Sequence, residues 1–477
     1  MADRPATTSH NIDPGSWGIA AIFVAAMLLA KLPVLGLPYH WDEAGAYVVP
    51  AHWLAEVGLH HILPGLHPPG QFFGHPPATY LGLATLYTMF GHSIWLTHTF
   101  AVLLASGSLY LTFRLGALIL DVKTGLLAAL LLFSSPLFFA QSGLMHGDMM
   151  VTFFGLLTVY LFFTGRMWGY MVSAVVLLLA KETGVAFIAA ILVYRLVLSD
   201  ESGSVRGQPL VLAAPLLVTV LFFGAQLATY GQLVTNPYFE RLPLFRLSLH
   251  GVVSVTEVVF MRQGRWILSL GIVIAALVFG RRFWRKEFGL FALVILCFLG
   301  AFSVLFSMDR YSLPVFPYLS IMAAWALVLL SEKQRLVPVV ALAGLAAFFV
   351  LKLDGAGRRR GSYERTMEYV DIVRMHQEAA RFLETHHSDE KILAAWPLVM
   401  ALGQPFLGYV DRPLDTSGSR ADYDLLVWTA QGAEQNRALL DFARAEGLKP
   451  LRRFARNNKD VVVYWRGGAS GANRPVP

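Results

Sequence analysis

The sequence predicts an all-α polytopic membrane bundle of about eleven transmembrane helices, with a small soluble α/β domain at its C-terminal end. Three observations predict it. Of the 477 residues, 56% are hydrophobic and only 14% charged, outside the make-up of an ordinary globular domain. The apolar residues fall in long runs rich in Leu, Ala, Val and Phe rather than in periodic stripes, as bilayer spans require. After Leu353 the composition turns polar, and helical and strand-like patterns alternate.

Taken in order, Met1 to Ser16 reads as a cytoplasmic tail. Trp17 to Leu37 is expected to be a retained first span, because no small-residue cleavage site closes the apolar run before Lys31. A first outer loop covers 38–93. It holds Asp42, Glu43, Glu56 and, after Trp41, five histidines up to His75. Pro76-Pro77 then opens a helical run, Ala78 to Phe90, since proline is tolerated in a first turn. That run falls short of the roughly 20 apolar residues a span needs, so it is read as juxtamembrane or re-entrant. The remaining spans are expected at Ile94–Thr112, Gly125–Gln141, Met149–Thr164, Trp168–Leu179, Val185–Leu198, Leu210–Tyr230, Trp266–Gly280, Phe288–Phe306, Pro314–Leu330 and Val337–Leu351. With the first they complete a membrane domain over 17–353.

Asp354-Gly355-Ala356-Gly357 is the expected hinge into a domain over 354–466. There a helical pattern, Glu364 to Glu384, precedes strand-like runs at Lys391–Ala395, Tyr423–Trp428 and Val461–Trp465, with a helix from Glu434 to Glu446. Asn457-Asn458-Lys459-Asp460 reads as a turn between paired strands. The tail, 467–477, is expected to be disordered.

The net charge is +7. Much of the excess lies in short loops between spans, which assigns it to membrane topology rather than to nucleic acid. Loops holding Arg114, Lys123, Arg166, Arg195, Arg206, Arg281, Arg282, Arg285, Lys286, Lys333 and Arg335 form the expected cytoplasmic set. Asp42, Glu43, His75, His146, Asp148, Lys181, Glu182, Asp309 and Arg310 then fall on the opposite, outer side, with the loop from Gly231 to Arg265 and the C-terminal domain. Arg241, Arg246, Arg262, Arg265 and Arg358-Arg359-Arg360 break the charge rule on that side. The single cysteine, Cys297, allows no intramolecular disulfide.

The outer set carries the chemistry. Asp42-Glu43 directly follows a span between Trp41 and Tyr47, where an unpaired charge beside lipid is costly and marks a functional candidate. His75-Pro76-Pro77 reads as a helix start or a substrate contact. Asp148, after His146-Gly147, reads as a helix-capping acid or as a group aimed into a cavity. Lys181 is a snorkelling lysine or a point charge for a lipid-linked phosphate. Arg310, in Asp309-Arg310-Tyr311, either pairs locally or offers its fork to phosphate oxygens. Together these groups fit transfer from a phosphate-linked lipid donor, with a carboxylate as general base.

On those residues the chain resembles the GT-C superfamily of glycosyltransferases. It is most similar to the branch of protein O-mannosyltransferases and aminoarabinose (lipid A) transferases. The matching positions are Asp42-Glu43, His75-Pro76-Pro77, Asp148, Lys181 with Gly184, and Arg310-Tyr311 with Pro314 and Pro317, covering about 17 to 330. The resemblance implies a polyprenyl-phosphate sugar donor, a protein, lipid or glycan acceptor, inversion at the anomeric carbon and a site on the periplasmic face of the inner (plasma) membrane. It assigns Asp42 as base and Lys181 and Arg310 as holders of the donor phosphate. Glu43 would orient the acceptor or Tyr39, and His75, Asp148, Tyr39 and Tyr311 would bind substrate. The four arginines of the long loop (Arg241, Arg246, Arg262 and Arg265) could also meet the lipid phosphate. Two positions depart from the branch: Glu182 stands where a small residue or Tyr often follows the lysine, and His75 replaces a lysine. No cofactor is required. A divalent metal on Asp42, His146 and Asp148, with Glu43 and His75 as further donors, is the lesser version.

Two other classes compete. A transporter or flippase of lipid-linked sugars predicts paired repeats and ionisable groups at mid-membrane, whereas here the polar residues cluster at one boundary. A non-catalytic anchor for the C-terminal domain leaves the five motifs unexplained.

Overall fold

The computed structural model describes residues 14–198, 208–235, 249–304, 308–353, 363–432 and 434–466. The expected cytoplasmic tail before residue 14, Arg206, Arg241, Arg246, the hinge at 354–357, Arg358-Arg359-Arg360 and the tail from 467 lie outside them.

The chain opens with α1 (Pro14–Lys31), then short helices in the first loop, α2 (Val49–Val57) and α3 (Ala78–Phe90). α3 occupies the residues expected after the twin prolines and, at 13 residues, is about 20 Å long, too short to span. α4 (Ile94–Ile119), α5 (Val122–Phe133), α6 (Pro136–Gln141), α7 (Gly147–Phe163), α8 (Met167–Ala180) and α9 (Val185–Val193) follow. Then come α10 (Pro209–Ala213), α11 (Leu216–Tyr230), α12 (Leu249–Phe260), α13 (Arg265–Phe279), α14 (Glu287–Val304), α15 (Phe316–Lys333) and α16 (Leu336–Leu353).

Seven helical stretches among the described residues are long and apolar enough to cross a bilayer: Trp17–Val34, Ile94–Ile119, Pro209–Tyr230, Arg262–Arg282, Glu287–Val304, Asp309–Lys333 and Leu336–Leu353. The rest of the expected eleven are shorter or broken. The run Gly125–Gln141 divides into α5 and α6 because Pro136 cannot donate to the preceding turn. Val185–Leu198 ends in a π-helical turn, Tyr194–Leu198. Exposure fits lipid as the solvent. Leu336–Leu353 is almost wholly apolar yet none of it is buried, whereas Asp309–Lys333 is buried over most of its length. α16 therefore faces the acyl chains and α15 is the central post.

α4 and α5 cross where two glycines meet. A Cβ on Gly125 would lie 2.4 Å from the Phe113 carbonyl oxygen, and one on Gly116 2.8 Å from Gly125 Cα. Such close backbone approach is how membrane helices gain packing energy. Asp121 caps α5, accepting from the Thr124 N–H at 2.8 Å.

The soluble domain holds α17 (Tyr369–His386), β1 (Ile392–Ala394), α18 (Leu398–Gly403), β2 (Thr416–Ser417), β3 (Leu425–Thr429), α19 (Glu434–Ala445), β4 (Lys449–Arg456) and β5 (Lys459–Trp465). The sheet order is β2-β1-β3-β5-β4. β1 runs parallel to β2 and β3, and the β3–β5 and β4–β5 pairs are antiparallel. Asn457 and Asn458, at φ 45° and 63°, make the expected turn between β4 and β5, as two-residue hairpins demand. One boundary differs. The helix expected from Glu364 begins at Tyr369, and Tyr363, at φ 60°, starts an irregular strap tied to the membrane bundle.

Candidate active site

Asp42 immediately precedes a π-helical turn, Glu43–Val48, a rare backbone form concentrated at functional positions. Its carboxylate is 23% exposed and accepts a hydrogen bond from Arg310 Nη2. Arg310 stands on a 3-10 turn, Asp309–Val315, which leads into α15 and contains Pro314. The guanidinium reaches two further acids. Nε lies 3.3 Å from Asp148 Oδ2, and Nη1 donates to both oxygens of Glu364 at 2.6 Å.

Asp148 is in the first turn of α7, but its carboxylate does not cap the helix. Lys181 Nζ donates to its Oδ1 at 2.7 Å, and the same ammonium sits 4.0 Å over the Tyr311 ring. Lys181 itself lies where α8 ends in extended backbone, at φ −163°. Burial works against its charge, but Asp148 and the nearby phenols of Tyr47 and Tyr311 more than offset it, so its pKa is raised. Asp42, Asp148, Lys181 and Arg310 thus meet in one network although they come from four segments of the chain.

The remaining candidates divide. His75 Nδ1 lies 3.0 Å from Glu182 Oε2, and its ring stacks on Tyr47 with centroids 6.5 Å apart. Burial would raise the Glu182 carboxyl, yet His75 and Lys181 hold it down to about 2. His75 and Glu182 are therefore partners. Glu43 and Tyr39 take a different place from the one expected. Glu43 is 0% exposed. It accepts the His40 N–H at 3.1 Å and the Met145 N–H at 2.7 Å, and lies 3.2 Å from His98 Nε2. Its carboxylate ties the loop to α4 and to the turn before α7, and it makes no hydrogen bond to Tyr39. The Tyr39 hydroxyl is buried against Thr97 Oγ1 at 2.9 Å and His92 Nε2 at 3.1 Å.

Arg262 pairs with Glu257 at 3.1 Å and Asp309 at 3.0 Å. Arg265 donates to the carbonyls of Val258 and Val259 and to Gln263 Oε1. Among the described residues no group of three His, Cys, Asp or Glu side chains is set to hold a metal. Asp42 and Asp148 have the Arg310 guanidinium between them.

Glu364 is the member that sequence reasoning missed. Burial pushes its carboxyl up to about 8, with Arg310 pulling the other way and Asp42 adding to the rise. Its surroundings suit a proton. Gln141 Nε2 donates to the Glu364 carbonyl at 2.9 Å, which turns Gln141 Oε1 toward His146 Nδ1, 2.8 Å away. That nitrogen must carry the hydrogen, so the neutral Nε2 offers a lone pair 3.7 Å from Glu364 Oε1. Burial, with Arg310, His40 and Lys181 nearby, keeps the His146 pKa well below the ordinary value.

The fold has counterparts among solved structures. That of ArnT from Cupriavidus metallidurans in the apo state matches with a TM-score of 0.61 at 16% sequence identity, over 94% of this chain and 98% of that one. The same protein bound to undecaprenyl phosphate matches with a TM-score of 0.61 at 15% identity, over 96% and 99%. The apo oligosaccharyltransferase of Archaeoglobus fulgidus has a TM-score of 0.46 at 12% identity, over 88% of this chain and 70% of that one. No protein-family model and no curated protein matches. The chain therefore shares the fold of the Cupriavidus metallidurans structures, an integral membrane bundle with a small mixed β/α domain.

Proposed function

We propose that this protein transfers a sugar from a polyprenyl-phosphate donor to an acceptor hydroxyl at the outer face of the membrane, with inversion and with Asp42 as general base. The observation that carries the reading is the convergence of Asp42, Asp148, Lys181 and Arg310 at one end of the bundle. The fold shared with a protein solved with undecaprenyl phosphate supports the donor class.

The chemistry follows from the charges. Lys181 and Arg310 receive the donor phosphate, which takes Arg310 Nη2 from Asp42. Released, Asp42 accepts the proton of the acceptor hydroxyl as that oxygen attacks the anomeric carbon. The bond from that carbon to the phosphate oxygen breaks on the opposite face, and polyprenyl phosphate departs with the oxygen and its electron pair. General-base help of this kind contributes typically ~10²–10⁴ in rate. Holding donor and acceptor in line contributes up to about 7–11 kcal/mol in favourable cases. Lys181 and Arg310 stabilise the growing phosphate charge in a site largely closed to water, the positive charge a divalent ion would otherwise bring. His75, held by Glu182, flanks the donor sugar beside Tyr47. A transporter reading is less favoured, because the ionisable network lies at a helix-end boundary rather than midway along the spans.

The test is release of undecaprenyl phosphate by the detergent-purified protein from a panel of undecaprenyl-phosphate sugars, with acceptor-containing membrane extract added. Asp42→Asn should lower the rate at least ~10²-fold with an unchanged melting temperature. A folded Asp42→Asn protein working at the wild-type rate would remove Asp42 from the base role.

A further inference from the structure

Each of the three nitrogens of the Arg310 guanidinium faces a carboxylate. Nη2 goes to Asp42, Nε faces Asp148 at 3.3 Å, and Nη1 carries both oxygens of Glu364 at 2.6 Å. A phosphate that draws on Nη2, as above, displaces Asp42, and one that also grips Nη1 must displace Glu364. Asp148 is secured from its other side by Lys181 at 2.7 Å. With all five groups ionised, three carboxylates face two cations, and the phosphate would add to a surplus of negative charge.

Glu364 is delivered to that point by backbone, not by a flexible loop. Gln141 Nε2 holds its carbonyl at 2.9 Å, and Gln263 Nε2 holds the Arg365 carbonyl at 2.8 Å. Arg365 Nε meets Asp309 Oδ2 at 2.5 Å, and Lys31 Nζ reaches Met367 Sδ at 3.4 Å. The strap from Tyr363 to Glu368 is thus sewn to α1, to α6 and to the turns before α13 and α15. Its 3%-exposed side chain has the His146 lone pair within 3.7 Å.

We infer that Glu364 is a positioning residue that stands in for the donor phosphate on Arg310, competing with it while ionised and yielding once protonated. The inference rests on the donor reading above. It makes the entry strap of the soluble domain part of the phosphate site, acting through Arg310 rather than on the reacting atoms. The raised pKa of this carboxyl agrees with an easy surrender of its charge. The groups that face it are Arg310 and Asp42 from the two turns, and Asp148 and His146 from the start of α7.

The experiment measures binding of undecaprenyl phosphate to the full chain in detergent at pH 9, where Glu364 is mostly ionised, with thermal unfolding in the same micelles. Glu364→Gln keeps the shape and removes the competing charge, so its affinity should rise roughly tenfold, the effect of about 1.4 kcal/mol. Glu364→Asp, a shorter carboxylate with a weaker hold on Nη1, should give a smaller gain of the same sign and serves if the first variant does not fold. A merely structural glutamate would give lower affinity or none of this gain. Folded variants that bind no tighter than wild type, when wild type binds, overturn the inference alone. Wild-type protein that does not bind the lipid phosphate overturns the donor reading and takes the inference with it.

Discussion

Adjacent side chains of one type can do opposite work, and Asp42 and Glu43 show how position decides. Asp42 remains partly open, with a single arginine as partner, so its state can change when an anion arrives. Glu43 is enclosed and accepts two backbone N–H groups beside His98. Glu43→Gln cannot serve all three, because its amide nitrogen is a donor facing donors. Each buried donor left unsatisfied costs about 1–3 kcal/mol. We expect Glu43→Gln to lower the melting temperature in detergent clearly, whereas Asp42→Asn leaves it near wild type. Equal melting temperatures for Glu43→Gln and wild type would show that the buried carboxylate is not a tie. The Asp-Glu pair stood out in the sequence because two acids beside a span are rare. Which of them faces the site depends on the π-helical turn and on Met145, 102 residues away, and no local pattern encodes that.

Among the elements, the spans were legible wherever apolar runs were long and uninterrupted, as in α4, α15 and α16. The break between α5 and α6 was written in Pro136, but the run on either side is apolar enough to hide it. Glu364 was legible only as an acid in the first turn of a helix, a common and favourable place. Its true partner, Arg310, is 54 residues earlier, and the strap that brings them together has no periodicity to read. The α4–α5 crossing provides a test at this scale. Gly125→Leu must place its Cβ 2.4 Å from the Phe113 carbonyl oxygen, which backbone on both sides prevents. The helices would have to separate along their contact, with losses of the order seen for overpacked cores, about 1–3 kcal/mol or more. Gly82, which has open space around it, is the control. Gly125→Leu should fall in yield and melting temperature, Gly82→Ala should not, and equal behaviour of the two would refute the close-packed crossing.

For the molecule as a whole, the two ends of the bundle carry different charge. The Asp309–Arg310 turn lies at the start of α15, and Lys333 ends that 18-residue helix, about 26 Å from Phe316. At that far end Arg282 meets Glu332 at 2.7 Å and Lys333 lies 5.3 Å over the Phe279 ring. The loops after α13 and α15 are therefore neighbours, and they bring Arg281, Arg282, Arg285, Lys286, Lys333 and Arg335 together opposite the site. Short loops rich in Lys and Arg tend to stay on the cytoplasmic side, and on that ground the proposal has the site and the soluble domain outside. Cys297 is the one native cysteine; with it replaced by serine, single cysteines report each end. Asp389→Cys, on the exposed surface of the soluble domain, should react with a membrane-impermeant maleimide in intact spheroplasts. Arg282→Cys, 58% exposed at the far end, should react only after the membrane is opened. The reverse pattern would turn this network toward the cytoplasm and remove the outer-face half of the proposal, while the convergence of Asp42, Asp148, Lys181 and Arg310 would stand.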